Sequence, residues 1–559
     1  MEQGLQTTPK DKILHYQERG WWGSETLISI LRKNLEENPN QEALIDPPNR
    51  TYMVGGIPLR LSFRAIDKLS DMLAHSLYEL GLRQGDKAVV QMPNVAEIVL
   101  AYFSASKLGV ILSPVAMQYD KFELAHIDEI IKPDAYVAFE EFRGEGFGKL
   151  KSECFRKECK RLILSGGSWV SKETADQANF KSYLKGLRVD ANDIFTICWT
   201  SGTTGRSKGV PRSYNHWLSS TLASEDAIRL REGAIMLNPF PFINMAAIGG
   251  FLFYWLKLGA KMILHHPFDS EILLSQIQEE QVQYTVFPPA VLTQLLHAKD
   301  HINSKFDLSH LTIVGSGSAP LAPAMIAGFK SEFGIEVVNI FGSNEGMSLL
   351  SDPFDVPEPE DRASFFPRFG RSEFNWDNRV ARQISTKLID IDSGEEIVHQ
   401  GQIGECLLKG PTVFDGYYNS PEDNKEAFAS DGYFRSGDLF EIVGQENQYY
   451  RFVGRRKSLI IRGGVNISPE ELDEILSRHP SIMEGAVASY PDPILGERIC
   501  AFVVLHEGQT FSIDQLREFL GTLGVAKYKW PERLETISAL PRNVMNKIDR
   551  QELQRKISV

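Results

Sequence analysis

Cysteine is scarce in this chain: Cys154, Cys159, Cys198, Cys406 and Cys500 are the five among 559 residues, odd in number and scattered. That argues against a disulfide framework and fits a reduced, cytoplasmic protein. Cys154 and Cys159 are the only close pair, with no second pair or nearby histidine to complete a zinc site. Long apolar runs are missing too. The most apolar window, 242–256, is shorter than a membrane span, holds Asn244 and two glycines and is closed by Lys257, so a buried core helix is expected and no membrane span. The first six residues show neither the basic nor the apolar region of a signal peptide, and no secretion is expected. Positive charge is in deficit: 60 Lys and Arg against 73 Asp and Glu give −13. Generic binding to nucleic acid or to anionic membrane is therefore not expected, and an anionic ligand would need a locally basic site.

The length exceeds what one hydrophobic core serves. A helical pattern at Ile28, Leu31 and Leu35 leads to apolar pieces at 43–45 and 59–61 that could pair as strands. From Ser62, which can cap a helix running to Leu82, strand and helix alternate: a strand at 87–90, a helix over 95–108, then strands at 110–112, 235–237, 262–264, 284–287, 311–314 and 337–340. This predicts an α/β fold with two helix-covered, mostly parallel sheets and ligands at the carboxyl ends of the strands. After the proline-rich stretch 352–371, short strands with tight turns predict a small antiparallel barrel or sheet over about 372–456. A compact α+β tail follows, with a helix over 468–478. The expected domains are 1–456 and 457–559.

Five segments could carry chemistry. Thr200-Ser201-Gly202-Thr203-Thr204-Gly205-Arg206-Ser207-Lys208-Gly209-Val210 follows a β-branched and aromatic run, 194–199, that reads as a buried strand. Its glycines allow close backbone approach, and its hydroxyls, N–H groups and Lys208 suit phosphate. It is not a Walker A loop, because Gly209-Val210-Pro211 follows the lysine. In Asn339-Ile340-Phe341-Gly342-Ser343-Asn344-Glu345-Gly346 the carboxylate could hold Mg²⁺ and Phe341 could cover a base. In Gly437-Asp438 the acid could accept both ribose hydroxyls. Gly454-Arg455-Arg456-Lys457-Ser458 runs on to Gly463-Gly464 and a capped helix start. Near the end, Asn546-Lys547-Ile548 presents a lysine just before the last helix. Taken singly, each has an ordinary explanation as a solvated loop, a turn aspartate or a surface charge.

Together, in this order and spacing, they resemble the adenylate-forming, or AMP-binding, superfamily of acyl-CoA synthetases, aryl-acid–AMP ligases and luciferases over nearly the whole chain. The resemblance implies a mobile C-terminal lid domain on a hinge at Lys457 and Ser458, and a two-step reaction. A carboxylate attacks the α-phosphate of Mg·ATP to give acyl-AMP and pyrophosphate, and a thiol then takes the acyl group. It implies that Lys547, Glu345 and Thr200 are catalytic, with Glu345 the metal ligand. ATP would be held by Ser201, Gly202, Thr203, Thr204, Gly205, Lys208, Gly317, Ser318, Ala319, Asn339, Phe341, Gly342, Asp438 and Arg455, the last two on the ribose. Rotation of the lid would withdraw Lys547 and bring Gly463 and Gly464 to the thiol side.

The family usually has Asp or Lys at the position of Ser458, Gly at Asn546 and Thr at Asn344. Several stretches are particularly similar to the aryl-acid–AMP ligases of siderophore assembly: His15 to Trp22, Pro93 to Glu97, Lys107 to Val110 and Lys527 to Arg533. Those enzymes carry a His-Asn pair that reads a ring hydroxyl; Ile243-Asn244 stands here, and Gly249 stands where a serine is expected. With Gly315 these are the expected substrate residues, leaving room for a different or bulkier acid. The expected activity is adenylation of a small aryl, alicyclic or acyl carboxylic acid and its transfer to a thiol, CoA first. The alternatives are a phosphopantetheinyl carrier protein as acceptor and, in another class, a non-catalytic nucleotide-binding relative.

Overall fold

The computed structural model describes residues 5–166, 177–200, 207–318, 320–462, 465–492, 494–523, 525, 527–543 and 547–557, without the side chains of Lys457, Val465 and Asn466. Of the residues given roles above, Ser201, Gly202, Thr203, Thr204, Gly205, Ala319, Gly463, Gly464 and Asn546 lie outside the described residues.

Two sheets organise the N-terminal part. The first has eight strands in the spatial order Ser348–Ser351, Glu336–Gly342, Ile313–Gly317, Tyr284–Phe287, Ile235–Asn238, Lys261–Leu264, Glu42–Ile45, Arg60–Ser62. Its inner strands are parallel, and the pair at each end is antiparallel. The second runs Gly209–Ser213, Ile194–Trp199, Ile111–Pro114, Lys87–Gln91, Ala135–Phe139, Lys160–Leu164, parallel except for the 194–213 hairpin.

Period-two alternation sets both faces of each sheet in a core. Met262 and Leu264 join one hydrophobic cluster and Ile263 another; Ala88 and Val90 join one and Val89 another. The helix Ala96–Leu108 is buried on nearly every side and shares one cluster with both sheets. A helix apolar all round offers no solvent face, so the gap between the sheets is where it fits.

Helix Phe63–Glu79 starts as expected, the Ser62 hydroxyl accepting from Ala65 N. It stops three residues short of Leu82 because Gly81, at φ 90°, takes a left-handed turn. The apolar window 242–256 is buried from Ala247 on, apart from half-buried Gly250, but is not a uniform helix. A turn Met245–Ala247 passes into a π-helical turn Ile248–Leu252 and then Phe253–Lys257. Such π turns mark places where a helix is reshaped around a site.

The barrel-like part is a six-stranded antiparallel sheet in the order Phe365–Pro367, Tyr449–Arg455, Phe434–Val443, Ile403–Lys409, Ser385–Ile389, Glu396–Ile397. Its first strand begins at 365, ahead of the expected limit. Beyond Arg455 a short turn, Arg456–Ser458, leads to Ile460–Arg462, which belongs to a separate five-stranded sheet. Leu472, Leu476, Leu516 and Leu520 cover one face of that sheet, and Leu553 and Ile557 the other.

Candidate active site

The stem of the phosphate loop is a hairpin. Thr200 N donates to Lys208 O and Lys208 N donates to the Thr200 hydroxyl, both at 3.0 Å, so Thr200 ties the loop from both of its groups. Lys208 Nζ lies 2.6 Å from Asp423 and 4.7 Å from the centre of the Tyr417 ring. Tyr417 in turn donates its hydroxyl to Glu345 Oε1 at 3.0 Å. Burial and the Glu345 charge push the Tyr417 pKa far up, which keeps the phenol a donor. Lys208 and Glu345 are thus brought to one aromatic ring.

On the other side of Glu345 lie the ribose-type groups. Asp438 and Arg455 are register partners in adjacent strands, with Arg455 Nε 2.9 Å from Asp438 Oδ1. Burial pushes the Asp438 carboxyl up to about 6; Arg455 and Lys547 oppose the shift and Glu345 adds to it. Burial draws Lys547 down to about 8, helped by Arg455 and resisted by Asp438 and Glu345. The lysine stands on a small hairpin: Asn543 N donates to Lys547 O at 2.8 Å and Lys547 N to Asn543 Oδ1 at 3.1 Å, just before helix Arg550–Ile557. Glu345, Asp438, Arg455 and Lys547, far apart in the chain, therefore share one electrostatic neighbourhood.

Other expected residues are also engaged in packing. A Cβ at Gly315 would stand 2.7 Å from Ile340 Cδ1, and one at Gly317 would stand 2.1 Å from Ile340 O, so both glycines let two strands touch. Ser318 takes a left-handed backbone, φ 73°. Asn339 spends its amide Nδ2 on the carbonyls of Arg362 and Ala363. Phe341 packs with Phe366, Phe440 and Phe452, centroids 5.2 to 5.7 Å away, and Gly342 beside it is exposed. Ser458 ends the turn between the six-stranded antiparallel sheet and the five-stranded sheet.

The substrate residues divide in the same way. Asn244 caps the turn that follows it, its Oδ1 accepting from Ala247 N at 3.4 Å, and also lines a cavity with Pro114, Val115, Ala116, Tyr119, Trp199 and Ile243. Gly249 does not make the room expected of it. A Cβ there would sit 2.9 Å from Met245 Sδ and 3.5 Å from the Trp217 ring, so the methionine already fills the place of the missing side chain.

Three further contributors were given no role in the sequence reading. Tyr417 reads as one tyrosine of a turn. Asn344 donates its Nδ2 to Trp199 O at 3.0 Å and accepts from Met245 N at 2.9 Å. Arg212, wholly buried in the hairpin, donates to Asn344 O at 2.9 Å and to His216 O and Ser220 Oγ. Burial draws the Arg212 pKa down to about 9. A charged residue inside a buried strand was its one available clue. Farther out, Asp415 accepts from Thr8 and pairs with Lys12 at 2.5 Å, so the N-terminal arm is pinned to the loop that carries Tyr417.

The model of the AMP-binding enzyme family matches residues 31–418, well over half the chain, and that of the AMP-binding enzyme C-terminal domain matches 471–547. The chain belongs to the AMP-binding enzyme family. Triostin synthetase I of Streptomyces triostinicus is 29% identical over 99% of this chain and 98% of its own. The vibriobactin-specific 2,3-dihydroxybenzoate-AMP ligase of Vibrio cholerae is 27% identical over 98% of this chain and 97% of its own. The crystal structure of ATP-bound MatB from Rhodopseudomonas palustris superposes with a TM-score of 0.78 at 25% identity, covering 96% of this chain and 99% of that one. As an AMP-binding enzyme the protein is an adenylate-forming ligase that activates carboxylic acids with ATP and Mg²⁺.

The residues present fit those groups. Ser343 Oγ and Thr412 Oγ1 are buried without a hydrogen-bond partner, so hydroxyls remain for a polar ligand, and Asp438 Oδ1 is paired with the Arg455 guanidinium. No cluster of three metal-ligating side chains occurs among the described residues. Mg²⁺ needs none, since it binds through one or two carboxylates plus substrate phosphates and water. Glu345 would hold it, and the ion would neutralise the triphosphate. No described helix is long and apolar enough to cross a membrane.

Proposed function

We propose that this AMP-binding enzyme adenylates a small aryl, alicyclic or acyl carboxylic acid, releasing pyrophosphate, and passes the acyl group to a thiol. The observation that carries this reading is that Lys547 is buried within the electrostatic reach of Glu345, Asp438 and Arg455, the last two paired across adjacent strands. An ionised carboxylate needs no general base to attack phosphorus; the barrier is the meeting of two anions. In this reading Lys547 lies beside the incoming carboxylate and the α-phosphate. Thr200, the loop 201–206 and Lys208 hold the departing pyrophosphate side, and Asp438 and Arg455 fix the ribose. Trp199, Tyr119, Val115 and Ile243 give the wall beside Asn244 an apolar character, which suits an acid with an apolar body.

The acceptor we place first is CoA, approaching on the side of Gly463 and Gly464 once the C-terminal domain, 457–559, has turned about Lys457 and Ser458. A carrier protein bearing the same pantetheine thiol is the second reading, which the likeness to a vibriobactin-specific 2,3-dihydroxybenzoate-AMP ligase keeps in view. The five free cysteines favour the cytoplasm. Acid-dependent exchange of pyrophosphate into ATP across a panel of aryl, alicyclic and aliphatic acids tests the first step. Exchange with none of them overturns the reading and leaves a non-catalytic nucleotide-binding protein. CoA and a pantetheinylated carrier, offered in turn to the acid that exchanges, decide the acceptor.

A further inference from the structure

Asn344 stands beside the carboxylate of Glu345, and all of its polar groups but the backbone N–H are engaged with different parts of the site. Its Nδ2 donates to the carbonyl of Trp199, the last residue of the strand that feeds the phosphate loop, at 3.0 Å. Its Oδ1 accepts from Met245 N, the first N–H of the helix entered at Asn244, at 2.9 Å. Its backbone carbonyl accepts from the buried guanidinium of Arg212 at 2.9 Å. Trp199 and Asn244 both line the cavity assigned to the acid. A tight turn, Gly346 N to Ser343 O at 3.1 Å and Ser343 N to Met347 O at 3.0 Å, holds the residue in place.

Only a side chain with one donor and one acceptor on a short stem can make both contacts. Aspartate at this position would cap Met245 N but face the Trp199 carbonyl with a second oxygen. Alanine or threonine would lose one contact or both. A helix N–H and a strand-end carbonyl are therefore tied by one amide to the residue that precedes Glu345.

We propose that Asn344 is a positioning residue that fixes the acid-binding wall, Trp199 and Asn244, relative to Glu345, and so sets the approach of the carboxylate to the α-phosphate. This rests on the function proposed above. Being a question of alignment, it acts on the turnover of adenylation more than on the binding of ATP.

The test compares N344D, N344A and N344L with the wild type. N344D keeps the helix cap but loses the link to Trp199 and adds a charge next to Glu345, so the uncharged, similarly sized N344L, which loses both links, controls for the charge. In acid-dependent exchange kcat falls at least about tenfold in N344D and further in N344A, while the KM for ATP stays within about threefold. Melting of N344D stays at the wild-type temperature, and thioester formation from supplied acyl-AMP is retained. A second measurement needs no turnover. Addition of Mg·ATP changes the emission of Trp199, taken as wild type minus W199F, and this response is lost in N344D and N344L. Wild-type kcat and an unchanged Trp199 response in N344D overturn the proposal. So does loss of kcat only in step with a lowered melting temperature, which would make Asn344 a structural cap. If the wild type itself exchanges with no acid, the function fails first, and the emission measurement alone then decides whether Asn344 links the two sites.

Discussion

Asp438 and Arg455 face each other across two antiparallel strands with carboxylate and guanidinium 2.9 Å apart, and the ammonium of Lys547 completes the group from the C-terminal sheet's side of the molecule. Burial, and after it the charge of Arg455, raise the cost of the positive charge on Lys547, and it gives way, to about 8, although Asp438 and Glu345 resist the shift. Adenylation needs that lysine charged. Its kcat/KM, which reports the free enzyme, should therefore fall above pH about 8, by up to tenfold per unit. Thioester formation from supplied acyl-AMP should lack this limb, because the lysine has no part in it. Arg in place of Lys547 stays charged throughout and should flatten the profile in whatever activity remains. A profile of the wild type level to pH 9.5 would count against this assignment.

Asp438 partly offsets the burial of Lys547, and its removal has two separable effects. Asp438→Asn should raise the KM for ATP about 10–100-fold, as expected for loss of a charge-assisted hydrogen bond worth about 1.5–3 kcal/mol. It should also shift the alkaline limb to lower pH, since the charge that favours the ammonium is gone. Steady-state kinetics at five or six pH values reads both. A higher KM with an unmoved limb would separate Asp438 from Lys547.

Much of this site was legible before the fold, and the remainder was hidden for a physical reason. Glycines beside a lysine, a strand followed by an acid and a lysine before the last helix are local patterns, and their chemistry is local too. Tyr417 meets Glu345 across 72 positions, Arg212 meets Asn344 across 132 and Asn344 meets Trp199 across 145. Nothing in the neighbourhood of any of them along the chain records such a contact. The alternation of strands and helices was equally plain, whereas the π turn at Ile248–Leu252 was not, because its apolar residues fit an ordinary helix as well. Gly249 shows the opposite error: a missing side chain reads as space, but the methionine four positions earlier has taken it.

That exchange can be reversed by design. Gly249→Ser places a Cβ against Met245 Sδ, at 2.9 Å in the present arrangement, and should destabilise the protein by about 1–3 kcal/mol through overpacking. Met245→Ala in the same chain should return most of that loss, so the two changes are strongly non-additive in a double-mutant cycle read by urea unfolding. Additive effects would mean that the methionine is not what occupies the space.

The half-reactions should come apart. Lys547→Ala removes the cation from the Asp438 and Glu345 neighbourhood and should lower acid-dependent exchange by at least about a hundredfold, the scale of losing one electrostatic contact to a transition state. Thioester formation from acyl-AMP should remain within a few-fold of the wild type. Gly464→Leu, on the side assigned to the thiol, should do the reverse. Equal loss of both steps in both variants would argue against an alternating lid.

The strongest stability prediction lies away from the chemistry, in the segment around Glu97. Arg50 is wholly buried and donates to Asp46 at 2.8 Å and to both oxygens of Glu97, at 2.7 and 2.5 Å. Asp46 also accepts from Ala96 N and Leu59 N, so one ionic group joins the first helix of the inter-sheet layer to the strand at the sheet edge. Removing the guanidinium alone leaves two buried carboxylates together. Arg50→Met should cost about 3–5 kcal/mol, measured by urea unfolding at pH 7.5. The cost should depend on pH in a fixed direction. Burial, and Glu97 with it, already lifts the folded Asp46 carboxyl to about 6 in spite of Arg50. For such a raised acid the native state binds more protons than the unfolded chain, so its contribution is present in full below the unfolded pKa and is lost as pH rises through 6. Without Arg50 the folded pKa climbs further. The penalty of Arg50→Met should therefore shrink when unfolding is measured at pH 5, where one carboxyl can protonate, and an equal penalty at both values would show that the pair is not what the arginine neutralises.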